Sequence, residues 1–507
     1  MWLNFLLALI PIVWLIVSLG GLKISAPKAC SSALLITVLL AIFSFKLPVM
    51  DTFTGALEGI MMGLWPIIYV IIAALFTYNI TNESGGIKVI QDTLSAITTD
   101  KRILVLIIAW GFGGFLEAIA GFGTAVAIPA GILIAFGLEP IKAAVICLIA
   151  NTTPTAFGAV GLPVITLSDV TGLPSKPLSV VVTLQLVVLV VIIPFVLVVL
   201  TENRLKALKG VGFITLMAGL SFALPQIVVA KYVGPELPAI VGAIVCLAVT
   251  ISIAKMQKKE VKDDIKVEKH TTADILRAGS PFILVFLFVI LASSLFPTIN
   301  HALLMAKNSF IIYSGKNAHP FVFNWLASPG TLIIVATFIG GFIQGESLKD
   351  MLKILWNVIK GLWKTIITIC SIVALAKVMG YSGMTSSLAV TLVRIMGPVY
   401  PLIAPLIGAL GTFITGSDTS ANVLFGNLQL SAAKTLGVSS NWVVASNMVG
   451  ATAGKMISPQ SIAIASASIG KEGSEGVILK KMLVWCGLYL LVICVFLYAT
   501  GFLFKML

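Results

Sequence analysis

The sequence predicts an all-α polytopic membrane protein, with about 12–14 membrane segments arranged as two related halves. Three observations carry this prediction. The 507 residues are 59% hydrophobic and only 10% charged, whereas a soluble domain carries about 25% charge. No large core explains the deficit, because a soluble surface must still be polar. Many apolar runs approach the ~20 residues that cross a bilayer as a helix, residues 3–19, 181–200 and 482–499 among them. Blocks of the first half also recur, in the same order, in the second. A β-barrel is excluded, since its strands would alternate in polarity over ~10 residues.

Residues 1–50 are expected to form N-terminal transmembrane helices. The opening MWLNFLLALIPIVWLIVSLGG has no basic stretch before its apolar run and leads straight into more hydrophobic sequence. It reads as a first membrane helix rather than a cleaved signal. Residues 51–254 form the first repeat half, with a re-entrant hairpin at about 103–137 and a broken helix at about 140–168. The charged stretch 255–277, KMQKKEVKDDIKVEKHTTADILR, reads as a cytoplasmic linker. Residues 278–348 supply connecting helices and a loop at about 298–329 that holds His301, Lys307, Lys316 and His319. Residues 349–507 form the second half, with a hairpin at about 398–437 and a broken helix at about 440–468.

The excess of 33 Lys+Arg over 20 Asp+Glu gives a net charge of +13. In a membrane protein this belongs to cytoplasmic loops and does not argue for nucleic acid. The six cysteines form no CxxC pair and read as small hydrophobes. No metal site or cofactor is expected. The three histidines, His270, His301 and His319, fall in predicted loops. A buried hydrolase constellation is therefore not available, and an enzyme is not expected.

The duplication rests on three paired blocks. GLWPIIYVIIAALFTYNITNESG at 63–85 answers GLWKTIITICSIVALAKVMGYSG at 361–383. AGFGTA at 120–125 answers TGSDTS at 415–420. ANTTPTAFGAVGLP at 150–163 answers SNMVGATAGKMISP at 446–459, with Asn151, Gly158 and Pro163 matching Asn447, Gly454 and Pro459. Duplicated halves mark secondary transporters, whose substrate site lies between the repeats near the midplane. The best pointer to that site is a pair of Gly/Pro-interrupted apolar segments in corresponding positions. Each half has two. A channel would need no such pair of hairpins and could not concentrate its solute.

In WGFGGFLEAIAGFGTAVAIPAGILIAFG (110–137), two apolar arms flank a glycine-rich middle holding Glu117. Each arm, at about 12–15 residues, is too short to span ~30 Å at 1.5 Å per residue. The partner segment has TGSDTSAN at its tip. The segments around IANTTPTAFGAVG and ASNMVGATAGKMISPQ read as helices broken within the membrane. Such backbone survives at depth only when buried in protein or lining a wet cavity, and broken helices present N–H groups that favour an anion.

Two hairpin tips and two breaks that converge would make one polar site. Lys455 sits in apolar surroundings, where a lysine costs on the order of 3 kcal/mol. It either meets a substrate carboxylate, pairs with Asp418 or Glu117, or snorkels to the interface. Asp418 is either a coupling group or the N-cap of its hairpin arm. Glu117 either carries a proton in a partly desolvated place or makes a structural hydrogen bond. Gly121, Thr124, Asn151, Thr152, Thr153, Thr155, Thr415, Ser417, Thr419, Ser420, Asn422, Asn447 and Thr452 complete the candidate substrate-binding set. Lys377 reads as snorkelling, and the tryptophans as interface anchors.

At GFGGFLEAIAGFGTAVAIPA, ANTTPTAFGAVGLPV, TFITGSDTSANVLFGNLQ and SNMVGATAGKMISPQSIAIA the chain resembles the bacterial lactate permease family, over nearly its whole length. The resemblance implies uptake of L-lactate, with D-lactate and glycolate, together with a proton across the bacterial cytoplasmic membrane. The family is similar in plan to the dicarboxylate/sodium symporters. That likeness implies inverted-topology repeats, an elevator-type transport domain beside a scaffold, and a homodimer. The dicarboxylate relatives carry Ser-Asn-Thr at their tips, where this chain has Gly-Phe-Gly-Thr and Ser-Asp-Thr-Ser. The departure favours proton coupling through Asp418 or Glu117, with Lys455 on the carboxylate. The alternative is a sodium-coupled carboxylate transporter of the same fold.

Overall fold

The computed structural model describes residues 2–18, 22, 24–95, 97–119, 121, 123–256, 270–292, 295–315, 318, 320–471 and 474–507. Among them, ten helices are long and apolar enough to cross a membrane, or eleven when one bent pair is counted as a span. The expected number was higher because it included the hairpin arms. Several of these fail on length or polarity. Thr124–Ala135 has 12 residues, and Asp418–Leu436 carries a polar first turn. Most of the expected cytoplasmic linker, residues 257–269, lies outside the described residues, as do Lys316 and His319.

The two halves run through the same order of elements. A long helix, Val49–Glu83, is bent at Trp65 (φ −130°, ψ 118°), where Pro66 removes a ladder donor. Lys101–Ile119 and Thr124–Ala135 form the first hairpin. The broken helix follows as Pro140–Ala150, a 3-10 turn at Thr153–Phe157 and Gly158–Thr171. Ser175–Glu202 then crosses at full length. In the second half, Trp363–Tyr381 takes the place of the long helix. Tyr400–Thr415 and Asp418–Leu436 form the second hairpin. Ser440–Lys455 and Pro459–Ser468 form the second broken helix, and Glu475–Leu503 crosses. Three of the four hairpin arms are longer than expected, and Thr124–Ala135 is not. Lys101–Ile119 has 19 residues, about 28 Å of helix. The outer ends of the first hairpin are tied by Lys101 Nζ, which donates to Gly137 O at 2.7 Å.

Among the described residues, the expectation of an all-α chain has one exception. Within the predicted loop at 298–329, Pro297–Met305 is a short helix, and Lys307–Phe310 pairs antiparallel with Phe321–Asn324. Aromatic side chains favour strands by packing across them. Here Phe323 lies 6.0 Å from Phe310 and stacks on Trp325 at 5.6 Å, and Trp325 reaches Trp65 at 5.1 Å.

Glycine sets the closest helix approaches. Gly450 and Gly454, one turn apart, place Ser440–Lys455 directly on the carbonyls of Pro405 and Ala409, and Gly408 meets the Asn447 carbonyl. Small residues four apart let membrane helices approach this closely. The contact fixes the second hairpin against the second broken helix. All six cysteines are free and buried. Trp110 and Trp442 are buried as well, with their indole N–H groups donating to Ala218 O and Leu497 O. These two are packing residues, not interface anchors. Lys377 does not snorkel. Its Nζ stands 2.8 Å from Glu58 Oε1, which also accepts from Tyr381 Oη at 2.8 Å.

Candidate functional site

Both hairpin tips and both breaks meet at one cavity of about 460 Å³, within the range of small-molecule sites. The second tip turns at Gly416, whose φ of +73° suits glycine best. Ser417 then caps the descending arm by accepting from Ser420 N. Asp418 is the first residue inside that helix, so it is not the cap. It is buried, and neither carboxylate oxygen has a hydrogen-bond partner among the described residues. Thr415, Ser417, Thr419 and Ser420 line the cavity around it.

At the first tip, Gly121 and Gly123 take left-handed backbone (φ +62° and +87°) and line the cavity. Glu117, one turn earlier, is buried and also lines it. Its Oε2 has no hydrogen-bond partner among the described residues. Thr124 begins the returning arm.

The first break is strongly distorted. Asn151 ends Pro140–Ala150 and faces the cavity with its Oδ1 unpartnered among the described residues. Thr155 also lines it, with Oγ1 donating to Thr152 O at 2.6 Å. Ala159, Val160 and Gly161 then take left-handed backbone in succession (φ +44°, +57° and +77°). A β-branched residue there is a genuine outlier. For the non-glycine Ala159 and Val160 such a conformation costs of order 1–3 kcal/mol each, and such strain clusters at functional sites.

The second break presents Lys455, the last residue of its helix and half-buried, with Nζ 3.5 Å from Gly416 O. Among the described residues no ion pair joins Lys455 to Glu117 or Asp418. All three line the same cavity. Ser458 accepts from Ser461 N at 3.2 Å and caps Pro459–Ser468. The N-termini of Thr124–Ala135, Asp418–Leu436 and Pro459–Ser468 therefore all reach the cavity through Gly123, Ser417 and Pro459. Each carries roughly half a positive charge. With Lys455 they bias the site toward an anion.

Other predicted residues lie behind the cavity. Tyr400 Oη donates to Gln429 Oε1, Gln429 Nε2 to Asn447 Oδ1, Asn447 Nδ2 to Asn422 Oδ1, and Asn422 Nδ2 to Pro163 O. This buried chain ties the second hairpin to both broken helices. Asn422 and Asn447 are thus braces, not cavity lining. Thr452 bonds Val449 O and Tyr489 Oη. Thr152 bonds Ile149 O at 2.8 Å, and Thr153 is buried away from the cavity.

The residues missed at the sequence level are Gln460 and Ser461, just past Pro459, and Lys364, Thr365 and Thr368 on Trp363–Tyr381. Gln460 and Ser461 adjoin the quoted break and could have been read from it. Lys364 directly follows the repeated Gly-Leu-Trp, but nothing local to it signals a cavity.

The profile of the L-lactate permease family matches residues 4–504. An L-lactate permease of Streptococcus iniae is 56% identical over 445 residues, covering 87% of this chain and 93% of that one. The glycolate permease GlcA of Escherichia coli strain K12 is 34% identical over 512 residues, covering 93% and 91%. Among solved structures, MtrF of Neisseria gonorrhoeae, from a class of antimetabolite efflux pumps, aligns with a TM-score of 0.53 over 92% of this chain and 94% of that one. At 11% identity that is a likeness of fold alone. The bacterial relatives and the apolar helices make the chain a multi-pass protein of the bacterial inner membrane. It belongs to the L-lactate permease family.

Proposed function

We propose that the chain takes up a small 2-hydroxy monocarboxylate, L-lactate together with D-lactate and glycolate, by symport with a proton. The carrying observation is one half-buried lysine facing two buried carboxyl groups with unpartnered oxygens, in a cavity built from both tips and both breaks. An ionisable group at membrane depth is a functional group by default. The names of the relatives, L-lactate permease and glycolate permease, supply the substrate class.

The energetics favour a proton as partner. A lone anion entering a negative cell works against about 2.3 kcal/mol per charge per 100 mV. One proton per carboxylate makes the step electroneutral. A gradient of one pH unit then supplies about 1.4 kcal/mol, enough for tenfold accumulation. In this reading Lys455 and the helix N-termini hold the carboxylate, and Asn151, Thr155, Ser417 and Thr419 receive the 2-hydroxyl. Asp418 or Glu117 takes the proton.

Inverted repeats are supported by where the hairpins enter. The first broken helix starts at Pro140, beside the outer end of the first hairpin, and ends at Thr171. That far end packs on Gly426, partway down the outgoing arm of the second hairpin. The two hairpins thus approach the cavity from opposite ends of one helix. The two tips and two breaks form the transport body, and Val49–Glu83 with Trp363–Tyr381 the scaffold it slides against. The elevator motion and the homodimer rest on the resemblance alone.

The test is L-lactate uptake into proteoliposomes with an inward proton gradient and no sodium. Accumulation above equilibrium that a protonophore collapses is expected. Uptake driven only by a sodium gradient would overturn the coupling, and no uptake under either gradient would overturn the substrate.

A further inference from the structure

A second cavity, of about 820 Å³, lies beyond the first along the same walls. Leu162 lines both. On Asp418–Leu436, the first cavity touches Asp418 and the second Asn427. On Trp363–Tyr381, the first touches Thr368 and the second Lys377. Nine residues of helix separate each pair, about 13 Å of rise. Two helices from different parts of the fold therefore carry the same step from one cavity to the next, with Leu162 as the partition. The two-stranded sheet roofs the far end through Phe321, Val322 and Asn324.

The chemistry of the second cavity is that of a passage. A void this large among membrane helices, lined with Ser386, Asn427 and Ser431, is polar enough to hold water. Asp169 lies exposed on its wall, in the last turn of Gly158–Thr171. Lys377 is neutralised by Glu58. The cavity thus offers no net cation to trap an anion. In the first cavity Lys455 is tied to neither acid by an ion pair among the described residues, and it stands with three helix N-termini.

Resting on the function proposed above, we infer that the second cavity is the opposite-face vestibule of the transport route. The 2-hydroxy carboxylate and its proton pass through it between Leu162 and the far side of the membrane. The corridor is traversed, while the first cavity holds the substrate.

The test places single cysteines in the full-length protein, in right-side-out and inside-out vesicles. Among the described residues no native cysteine lines either cavity, and all six are buried. Thr368→Cys reports the first cavity, and Ser386→Cys the second. Ser431→Cys, on the facing helix, repeats the second measurement should Ser386→Cys fail to fold. A bulky membrane-impermeant thiol reagent is applied from each face. The expected result is labelling of Thr368→Cys from one face and of Ser386→Cys from the other, with L-lactate uptake by labelled Ser386→Cys reduced at least tenfold. Labelling of both positions from one face, or full uptake by labelled Ser386→Cys, overturns the vestibule. The labelling face is read without substrate. Opposite-face labelling of a protein that transports no L-lactate would therefore uphold the vestibule and count against the proposed substrate.

Discussion

Gly158 lies against Glu117: a Cβ built at Gly158 would stand 2.9 Å from Glu117 Oε1 and 3.4 Å from its carbonyl oxygen. The first break thus abuts the acid of the first hairpin, and only glycine leaves that carboxyl its place. Gly158→Ala is expected to displace the carboxyl and to cut proton-driven uptake about tenfold. The overpacking itself costs about 1–3 kcal/mol. Uptake rates beside melting temperatures of purified protein check this, and uptake unchanged in a folded variant would refute it.

Asp418 and Glu117 compete for the proton. Asp418→Asn keeps the size of the side chain and removes its titration. L-lactate binding should stay within about threefold, while a one-unit pH gradient, which sustains about tenfold accumulation in the parent, should sustain none. Glu117→Gln is the matched comparison. Pumping by Asp418→Asn at the parental level, with loss in Glu117→Gln, would move the proton to Glu117.

Lys455→Met removes the cation nearest the tip. A hydrogen bond to a charged group is worth about 1.5–3 kcal/mol, so the Kd for L-lactate should rise by about 10- to 100-fold. Isothermal titration in detergent reads it directly. A Kd equal to the parent's would leave carboxylate recognition to the helix N-termini.

Asn422 is expected to matter for stability rather than for substrate. Asn422→Leu strips the Asn447 amide of its acceptor and Pro163 O of its donor. Leaving such buried groups unsatisfied costs about 1–3 kcal/mol. The melting temperature should fall, while the Kd of the protein that stays folded should hold. A raised Kd with unchanged melting would place Asn422 in the site after all.

The Glu58–Lys377 pair offers a double-mutant cycle. Lys377→Met alone leaves Glu58 buried with only Tyr381 as partner. Glu58 is buried but Lys377 is partly exposed on the second cavity, so breaking the pair should cost less than the ~3–5 kcal/mol of a fully buried one. Adding Glu58→Gln should recover much of the lost stability, because the unpaired charge is gone. Additive losses in denaturation would show the two residues to be uncoupled.

The readable parts of the site were those with a local chemical signature. Asp418, Glu117 and Lys455 are charges in apolar sequence, and Gly121 and Gly416 mark turns in the two interrupted segments. These residues do share one cavity. Asn422, Asn447 and Thr452 carried the same local signature yet turned inward to brace the helices, because the side of a helix a polar group faces depends on its neighbours. Lys377 looked like a snorkelling lysine because its partner, Glu58, lies 319 positions away.

The amino-acid sequence by itself determined the solvent and the helices. Hydropathy acts over ~20 consecutive residues, and the repeated blocks are legible without any contact between them. Tertiary structure decided which polar residues face the cavity, the left-handed run at Ala159–Gly161 and the packing of Gly450 and Gly454 on Pro405 and Ala409. It also decided the pairing of Glu58 with Lys377 and the second cavity beyond Leu162. Each depends on backbones and side chains far apart in the chain arriving at the same place, and no local periodicity encodes that.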